Sequence, residues 1–387
     1  YFIAARVRRF GQFTVPDILE ARYNQWARLL GTITTIIAFV TIVSYQFRGG
    51  GWLINIISEG SISEQTAIRF AAIFVVLYTL LAGMLSLAYI DVINGVVILG
   101  GVFLALPFLI KHAGGIATIA QNVTPRENWF FGNMSVKEAV GYFIPTFLLA
   151  LGSGTMYQRF FSAKNENEAR RSVIGWVIGV ILIGIALQSM AVIGSSMFKG
   201  LDENTSGKII LFAAHEGVPI IIGCFLMASI AAIIISTANS FLLVPATNIM
   251  RDIVQRFFKP DMKDKTIVLW SRIVVVILGG CAYSLLSFFP RVLHAAYAAY
   301  TVYGAGITPA LVATFFWKRA TPLAGTLSIG AGMIVTVAWE IAKKIMGGFP
   351  LGMPAIYPAL VCSLLLLFIV SYMGKPPEES KWKPFFS

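Results

Sequence analysis

Charge is scarce in this sequence. Only 12% of its 387 residues are charged and 57% are hydrophobic, whereas soluble domains typically carry about 25% charged residues. A globular protein of this composition would have too few polar groups to cover its surface in water. The composition therefore excludes an ordinary soluble protein and indicates that lipid surrounds much of the chain.

Cysteines and histidines are also few, which limits the possible chemistry. Cys224, Cys281 and Cys362 all lie in apolar stretches, so the sequence predicts neither a disulfide framework nor a metal cluster. The three histidines are scattered, and no nucleophile–base pair or phosphate-binding loop is evident. We therefore predict that the protein is not an enzyme and uses no cofactor.

Long apolar runs are abundant, and they set the fold class. Each of ten runs is long enough to cross a bilayer as a helix, and no segment alternates as a membrane β-strand would. We predict an all-α, polytopic membrane helical bundle. The first and sixth runs are longer than a bilayer requires, which implies tilt, a break or an extension beyond the bilayer, and the glycines at 49–51 suggest a break in the first. The runs lie near residues 28–57, 66–87, 89–111, 137–157, 172–197, 218–249, 267–288, 291–317, 322–345 and 354–373.

The distribution of cations predicts the orientation. Because Lys and Arg are enriched in cytoplasmic loops, the more basic side should be cytoplasmic, with both termini on that side of the plasma or inner membrane. This pattern explains the net charge of +12 without a nucleic-acid partner. Twenty of the 30 Lys and Arg residues fall in alternate polar segments on one side, at 1–28, 157–171, 251–272, 318–319 and 375–383.

Polar residues inside an apolar helix are costly and mark candidate functional positions. In the sixth run, Ile233, Ser236, Thr237 and Ser240 follow the spacing i, i+3, i+4, i+7 and share one helix face. The hydroxyl oxygens suit a hard cation such as Na+. The same hydroxyls could instead bond to the preceding turn or join two helices, and the residues alone leave both interpretations open.

Other polar residues are more dispersed. Asp91 lies at the start of the third run, where a carboxylate could contribute to a cation site or simply complement the helix dipole. Gln46, Gln188, Tyr297 and Tyr300 lie at membrane depth. We predict that these four line a solute site, although each could instead satisfy a neighbouring helix.

Four segments carry a family resemblance. They are TVPDILEARY at 14–23, YQRFFSAKN with EARR at 157–171, STANSFLL with RDI at 236–253, and FWKRATPLAG at 316–325. In this order and spacing they resemble the sodium/solute symporter family, which includes sodium–proline, sodium–galactose and sodium–sialic acid carriers. The resemblance covers nearly the whole chain.

The resemblance implies an inverted-repeat, LeuT-like transporter fold. The ten runs then match core helices 3 to 10 and two peripheral helices, while the first two core helices of the family have no counterpart. We therefore interpret the sequence as N-terminally incomplete. The implied organisation is one transporter domain at 1–387, with a cytoplasmic segment at 1–27, a ten-helix bundle at 28–373 and a cytoplasmic tail at 374–387.

The resemblance also implies a main sodium site. The backbone carbonyl of Ile233 and the hydroxyls of Ser236 and Thr237 match family positions that bind the coupling Na+. In the family, further carbonyl ligands come from the first core helix.

A second sodium site is implied by some members of the family. Its ligands match Asp91, Ser236, Asn239 and Ser240. Those members carry a small hydroxyl residue at the position of Asn239, so an amide oxygen would have to serve as the ligand here.

The implied function is Na+-coupled symport of a small organic solute by alternating access, with Na+, the solute and the lipid bilayer as partners. Two alternatives remain open from the sequence. One is a proton-coupled carrier of a related family, and the other is a membrane sensor that keeps the carrier fold.

Overall fold

The structure is a computed structural model that describes residues 2–10, 14–81, 84–123, 134–199 and 207–386, with residues 2 and 84–88 described as backbone only. No strand occurs among these residues. A π-helix at Ile249–Phe258 directly continues the α-helix at Ile220–Asn248. The α-helices are α1 (Phe2–Phe10), α2 (Val15–Arg22), α3 (Gln25–Ile57), α4 (Glu64–Leu81), α5 (Met84–His112), α6 (Ile116–Asn122), α7 (Val136–Gly152), α8 (Gly154–Ser162), α9 (Glu166–Met197), α10 (Ile209–Glu216), α11 (Ile220–Asn248), α12 (Asp264–Leu285), α13 (Val292–Gly306), α14 (Thr308–Phe316), α15 (Pro322–Met346), α16 (Ile356–Met373) and α17 (Glu379–Phe386).

The predicted number of membrane helices is confirmed. Within the described ranges, ten helical segments are long and apolar enough to cross a bilayer. Three of them combine two elements, namely α7 with α8, α11 with the π-helix, and α13 with α14. The other seven are α3, α4, α5, α9, α12, α15 and α16.

Short polar side chains fix where several helices begin. Thr14 and Asp17 form a reciprocal capping box at the start of α2. Asn24 accepts a hydrogen bond from the Ala27 amide at the start of α3, and Asn165 caps α9 in the same way. Such caps satisfy amides that have no partner within the helix. The local sequence therefore sets these helix ends.

The central helix α3 packs against α2, α4, α11, α12, α13 and α15. The break predicted in it is wrong, because α3 is continuous through the glycines at 49–51. These glycines permit close packing against α4 instead. A Cβ added at Gly50 would lie 2.9 Å from Ala71 Cβ, and one at Gly51 would lie 2.8 Å from the Ile68 backbone. Small residues commonly allow this close approach between membrane helices.

The longest helix positions the predicted ion ligands. α11 and the π-helix together span 39 residues, more than the roughly 20 that cross a bilayer. The helix is therefore long enough to extend beyond the membrane. α11 packs closely along α5 and also against α3, so its polar face meets neighbouring helices.

The two predicted cytoplasmic segments pack against each other. The segment at 1–27 contains α1 and α2, and the segment at 374–387 contains α17. Phe385 of α17 is buried, with its ring 4.6 Å from that of Phe10 and 5.8 Å from that of Phe315. The segment bounds themselves stay predictions.

Candidate functional site

A hydrogen bond joins two of the predicted site residues across α5 and α11. The Ser236 hydroxyl donates to Asp91 Oδ1 at 2.5 Å. Both side chains are half-buried. Asp91 lies two turns inside α5, which begins at Met84, so it is too far from the helix start to complement the dipole. The tertiary structure thus joins a carboxylate and a hydroxyl that lie 145 positions apart in the chain.

The second oxygen of Asp91 faces α8. Asp91 Oδ2 lies 3.3 Å from a guanidinium nitrogen of Arg159, whose side chain is 66% exposed, compared with 25% for that of Asp91. Exposed ion pairs of this kind contribute little stability. Arg159 therefore holds the Asp91 carboxylate only weakly.

An open cavity of about 700 Å³ lies beside this ion pair. Ser240, one turn after Ser236 on α11, lines the cavity together with Asp91. These carboxylate and hydroxyl oxygens are the donors that hard cations prefer, so the residues present fit Na+. The side of the cavity formed by α8 and α9 adds Thr155, Gln158, Arg159, Ser162 and Glu168.

The other two predicted ligands of the main site flank Ser236 on α11. Ile233 and Thr237 are both half-buried, so neither side chain is fully exposed on the outside of the bundle. They lie one helical turn apart, which brings the Ile233 carbonyl close to the Thr237 side chain along the helix. Ligation of Na+ by this group stays a prediction.

Asn239 points away from the other predicted ligands. Its Oδ1 accepts a hydrogen bond of 2.5 Å from the Thr79 hydroxyl on α4, and the side chain is buried. At about 100° per residue, Asn239 and Ser240 project from α11 in directions a quarter-turn or more apart. The structure therefore brings Ser240 to the cavity beside Asp91 and directs Asn239 to α4 instead.

A helix break between α7 and α8 was missed by the sequence analysis. Ser153 leaves the helical conformation at φ −55° and ψ 116°. Hydroxyls from α13 and α14 satisfy carbonyls near the break. Tyr303 donates to the Gly152 carbonyl at 2.9 Å, and Thr308 donates to the Leu148 carbonyl at 2.8 Å. The signal in the sequence is the tripeptide GSG at this point. The Leu148 and Gly152 carbonyls at this break therefore already have hydrogen-bond partners.

Tyrosines from three helices form a cluster. The Tyr45 and Tyr300 hydroxyls lie 3.2 Å apart, and the Tyr297 ring lies 5.9 Å from that of Tyr300 and 4.3 Å from that of Tyr142. Gln46 is half-buried and follows Tyr45 on α3. The predicted lining residues Gln46, Tyr297 and Tyr300 thus lie in or next to one cluster, which also includes the unpredicted Tyr142.

Gln188 lies apart from this cluster. Its side chain is exposed on α9, which packs against α1, α5, α6 and α10. The tyrosines lie on α3, α7 and α13 instead. The structure therefore does not join Gln188 to the other predicted lining residues.

A buried ion network at the start of α3 was also missed. Arg28 lies 2.6 Å from a carboxylate oxygen of each of Asp17, Glu20 and Asp252, and Arg256 lies 2.6 Å from the other oxygen of Glu20. Burial would raise the pKa of Glu20, but hydrogen bonds and charge from Arg256 and Arg28 outweigh it and hold this pKa below its usual value. The network ties α2 and α3 to the π-helix.

Comparisons with known proteins agree with the predicted family. The sequence model of the sodium:solute symporter family matches residues 1–335. The chain is 26% identical to the osmoregulated proline transporter OpuE of Bacillus subtilis, in an alignment that covers 99% of this chain and 80% of OpuE. It is 24% identical to the sodium/proline symporter of Escherichia coli, with 99% of this chain and 78% of that protein covered.

The fold also has a solved counterpart. The chain is similar to a Na+-coupled sialic acid symporter solved in a substrate-bound outward-open state, with a TM-score of 0.77 at 18% identity. The match covers 97% of this chain and 80% of the other, which confirms the predicted LeuT-like fold class. On the family match and the ten membrane helices, the chain belongs to the sodium:solute symporter family and is a multi-pass membrane transporter, not an enzyme, that couples Na+ to solute symport.

Proposed function

We propose that the coupling Na+ binds on α11 at the Ile233 carbonyl and the hydroxyls of Ser236 and Thr237. The half-buried position of these residues near the middle of α11 supports this assignment, since polar groups at membrane depth are costly unless they are used. The family resemblance assigns further carbonyl ligands to the first core helix.

A second Na+ binds between α5 and α11 in this proposal. Its ligands are the Asp91 carboxylate and the hydroxyls of Ser236 and Ser240. The observation that carries the proposal is the 2.5 Å hydrogen bond between Ser236 and Asp91, beside a cavity that Asp91 and Ser240 line. Asn239 acts indirectly, because its hydrogen bond to Thr79 fixes α11 against α4.

Sodium binding drives transport through a shift in conformational population. Na+ held by both Asp91 and Ser236 links α5 to α11, and it favours whichever conformation presents its ligands at the right distances. One Na+ that moves down a membrane potential of ~100 mV releases about 2.3 kcal/mol in addition to its concentration gradient. This energy is available to accumulate solute.

Proline or a similarly small amino acid is the proposed solute. The relatives at 24–26% identity are named as proline transporters, and they align over almost the whole chain. Tyr45, Tyr297 and Tyr300 offer an aromatic surface suited to a small apolar ring.

The carrier is proposed to lie in the cell membrane with a cytoplasmic C-terminus. The alternating excess of Lys and Arg supports this orientation. A reporter that is active only in the cytoplasm should be active when fused after Ser387.

The test is uptake by proteoliposomes that contain the carrier. Labelled proline should accumulate under an inward Na+ gradient, and not under a matched K+ gradient. Uptake driven by a proton gradient without Na+ would show that the coupling ion is the proton and not Na+. If another solute accumulates with Na+ and proline does not, only the solute assignment is replaced.

A further inference from the structure

Arg159 contacts the proposed second sodium site without being one of its ligands. It lies on α8, the short helix that follows the break at Ser153. Its guanidinium contacts Asp91 Oδ2 at 3.3 Å, while Ser236 occupies Oδ1. A positive group of the protein thus lies next to the carboxylate that would bind Na+.

We propose that Arg159 is an exchangeable counter-ion of Asp91. It pairs with the carboxylate when no Na+ is bound there and withdraws when Na+ binds. This inference rests on the proposed second sodium site and adds a residue that sets the sodium affinity of that site.

The charge balance requires such an exchange. One carboxylate neutralises one monovalent cation, and two cations a few ångströms apart repel each other. The other charged groups near the cavity do not change this balance, because Glu168, which lines it, is already 3.2 Å from Arg171. Arg159 and Na+ therefore compete for Asp91.

The position of Arg159 makes withdrawal easy. Its side chain is 66% exposed at the edge of an open cavity, so the guanidinium can move into water without losing a buried partner. Arg28 differs in this respect, because its side chain is 11% exposed and contacts three carboxylates. Of these two contacts, only the exposed pair of Arg159 and Asp91 can open and close in each transport cycle.

Competition has two consequences for transport. It weakens Na+ binding at Asp91 when the cavity is open, which favours release of the ion. It also keeps Asp91 paired after Na+ has left, so that the carrier does not return with an uncompensated charge, which is costly in the membrane.

The test compares Na+ binding by Arg159→Gln, Arg159→Lys and Lys164→Gln variants in proteoliposomes without solute, using radiolabelled Na+. Arg159→Gln should lower the half-saturating Na+ concentration about two- to fivefold, the range that exposed ion pairs give. Arg159→Lys keeps the charge and should stay near the wild-type value. Lys164→Gln removes an exposed cation of the same basic segment without taking a partner from Asp91 or Glu168, and it should also stay near wild type.

An unchanged or raised half-saturating concentration in Arg159→Gln would overturn the proposal. The Asp91→Asn variant distinguishes this failure from a failure of the sodium site itself. Unchanged Na+ binding in Asp91→Asn would show that Asp91 does not bind Na+, which would reject the second sodium site together with its counter-ion.

A measurement on the wild-type carrier is independent of these variants. Modification of arginine by phenylglyoxal, followed by peptide mass spectrometry, should be faster at Arg159 in Na+ than in K+, because bound Na+ frees the guanidinium. The rate at Arg171 should be the same in both salts. Equal or slower modification of Arg159 in Na+ contradicts the exchange.

Discussion

Two arginine–carboxylate contacts in this carrier differ in almost every respect. At the start of α3, Arg28 is 11% exposed and reaches three carboxylates at 2.6 Å each. Between α5 and α8, Arg159 is 66% exposed and reaches one carboxylate, that of Asp91, at 3.3 Å. The residue types are the same in both places, and burial and the number of partners differ.

The difference indicates which contact is structural and which is open to exchange. Removing one partner from a buried ion network leaves an uncompensated buried charge, whereas an exposed pair contributes little stability. α11 and its π-helix connect the two regions, because α11 carries Ser236 and the π-helix carries Asp252. The buried network therefore anchors one end of the helix on which ions are proposed to bind.

The largest expected effect comes from breaking the buried network. Arg28→Ala should destabilise the carrier by about 3–5 kcal/mol, because Asp252, with a fully buried side chain, loses its cation. Thermal unfolding in detergent, followed by size-exclusion fluorescence, measures this loss. Arg256→Ala is the matched control, since Arg256 is 52% exposed and should cost less than about 1 kcal/mol. Equal losses of stability in Arg28→Ala and Arg256→Ala would show that burial does not determine how much each arginine contributes.

Asp91→Asn should have the largest effect on coupling with little effect on stability. Loss of a charged ligand should raise the Na+ concentration for half-maximal uptake about tenfold or more. It should also lower the number of Na+ ions moved per solute, which flux measurements with labelled Na+ determine. Glu168→Gln removes another carboxylate from the same cavity, and its Na+ dependence should stay unchanged. A tenfold change in that control would point to general electrostatics rather than to ligation.

Single hydroxyl deletions on α11 should have an intermediate effect. Ser236→Ala and Thr237→Ala should each raise the Na+ concentration for half-maximal uptake about three- to tenfold, as expected for loss of one ligand. Ser229→Ala is the control, because its hydroxyl also joins α11 to α5, through the Val97 carbonyl at 2.8 Å, but lies outside the proposed ion sites. Unchanged Na+ dependence in both Ser236→Ala and Thr237→Ala removes the main-site assignment.

The smallest effect is expected where Asn239 meets α4. Thr79→Val deletes the hydroxyl that donates to Asn239 and should cost about 1 kcal/mol of stability, the range for hydrogen bonds between membrane helices. Sodium dependence should not change. The control is Thr146→Val, because that hydroxyl bonds only to the preceding turn of its own helix. A marked change in sodium dependence in Thr79→Val would indicate that Asn239 is a ligand of the second Na+ after all.

Much of the fold could be predicted because the relevant signals are local. Apolar runs of sufficient length gave ten membrane helices, and the structure confirms that number among the residues it describes. The predicted break in α3 failed because glycine was interpreted as a break, whereas Gly50 and Gly51 serve close packing against α4. The real break at Ser153 had only a weak signal, because its carbonyls are satisfied by hydroxyls from a distant part of the chain.

The candidate site could be predicted in part. The spacing of Ser236 and Ser240 placed them on one face of α11, and the family resemblance linked Asp91 to them. Asn239 was grouped with them by that resemblance, yet its amide turns to Thr79 on another helix. Arg159 entered the prediction as a cation of the basic segment 157–171 and as part of the family motif there, and its contact with Asp91 was not foreseen.

The sequence by itself determined that lipid surrounds much of this chain, how many times its helices are able to cross the bilayer, and which face of α11 carries oxygen atoms. These properties follow from hydropathy and helical periodicity, which act within a single segment. Only the tertiary structure decided which hydroxyl reaches Asp91, where Asn239 points and which arginine lies exposed beside Asp91. Those outcomes depend on how helices rotate and pack against partners 68 to 160 residues away in the chain, and no local pattern encodes that geometry.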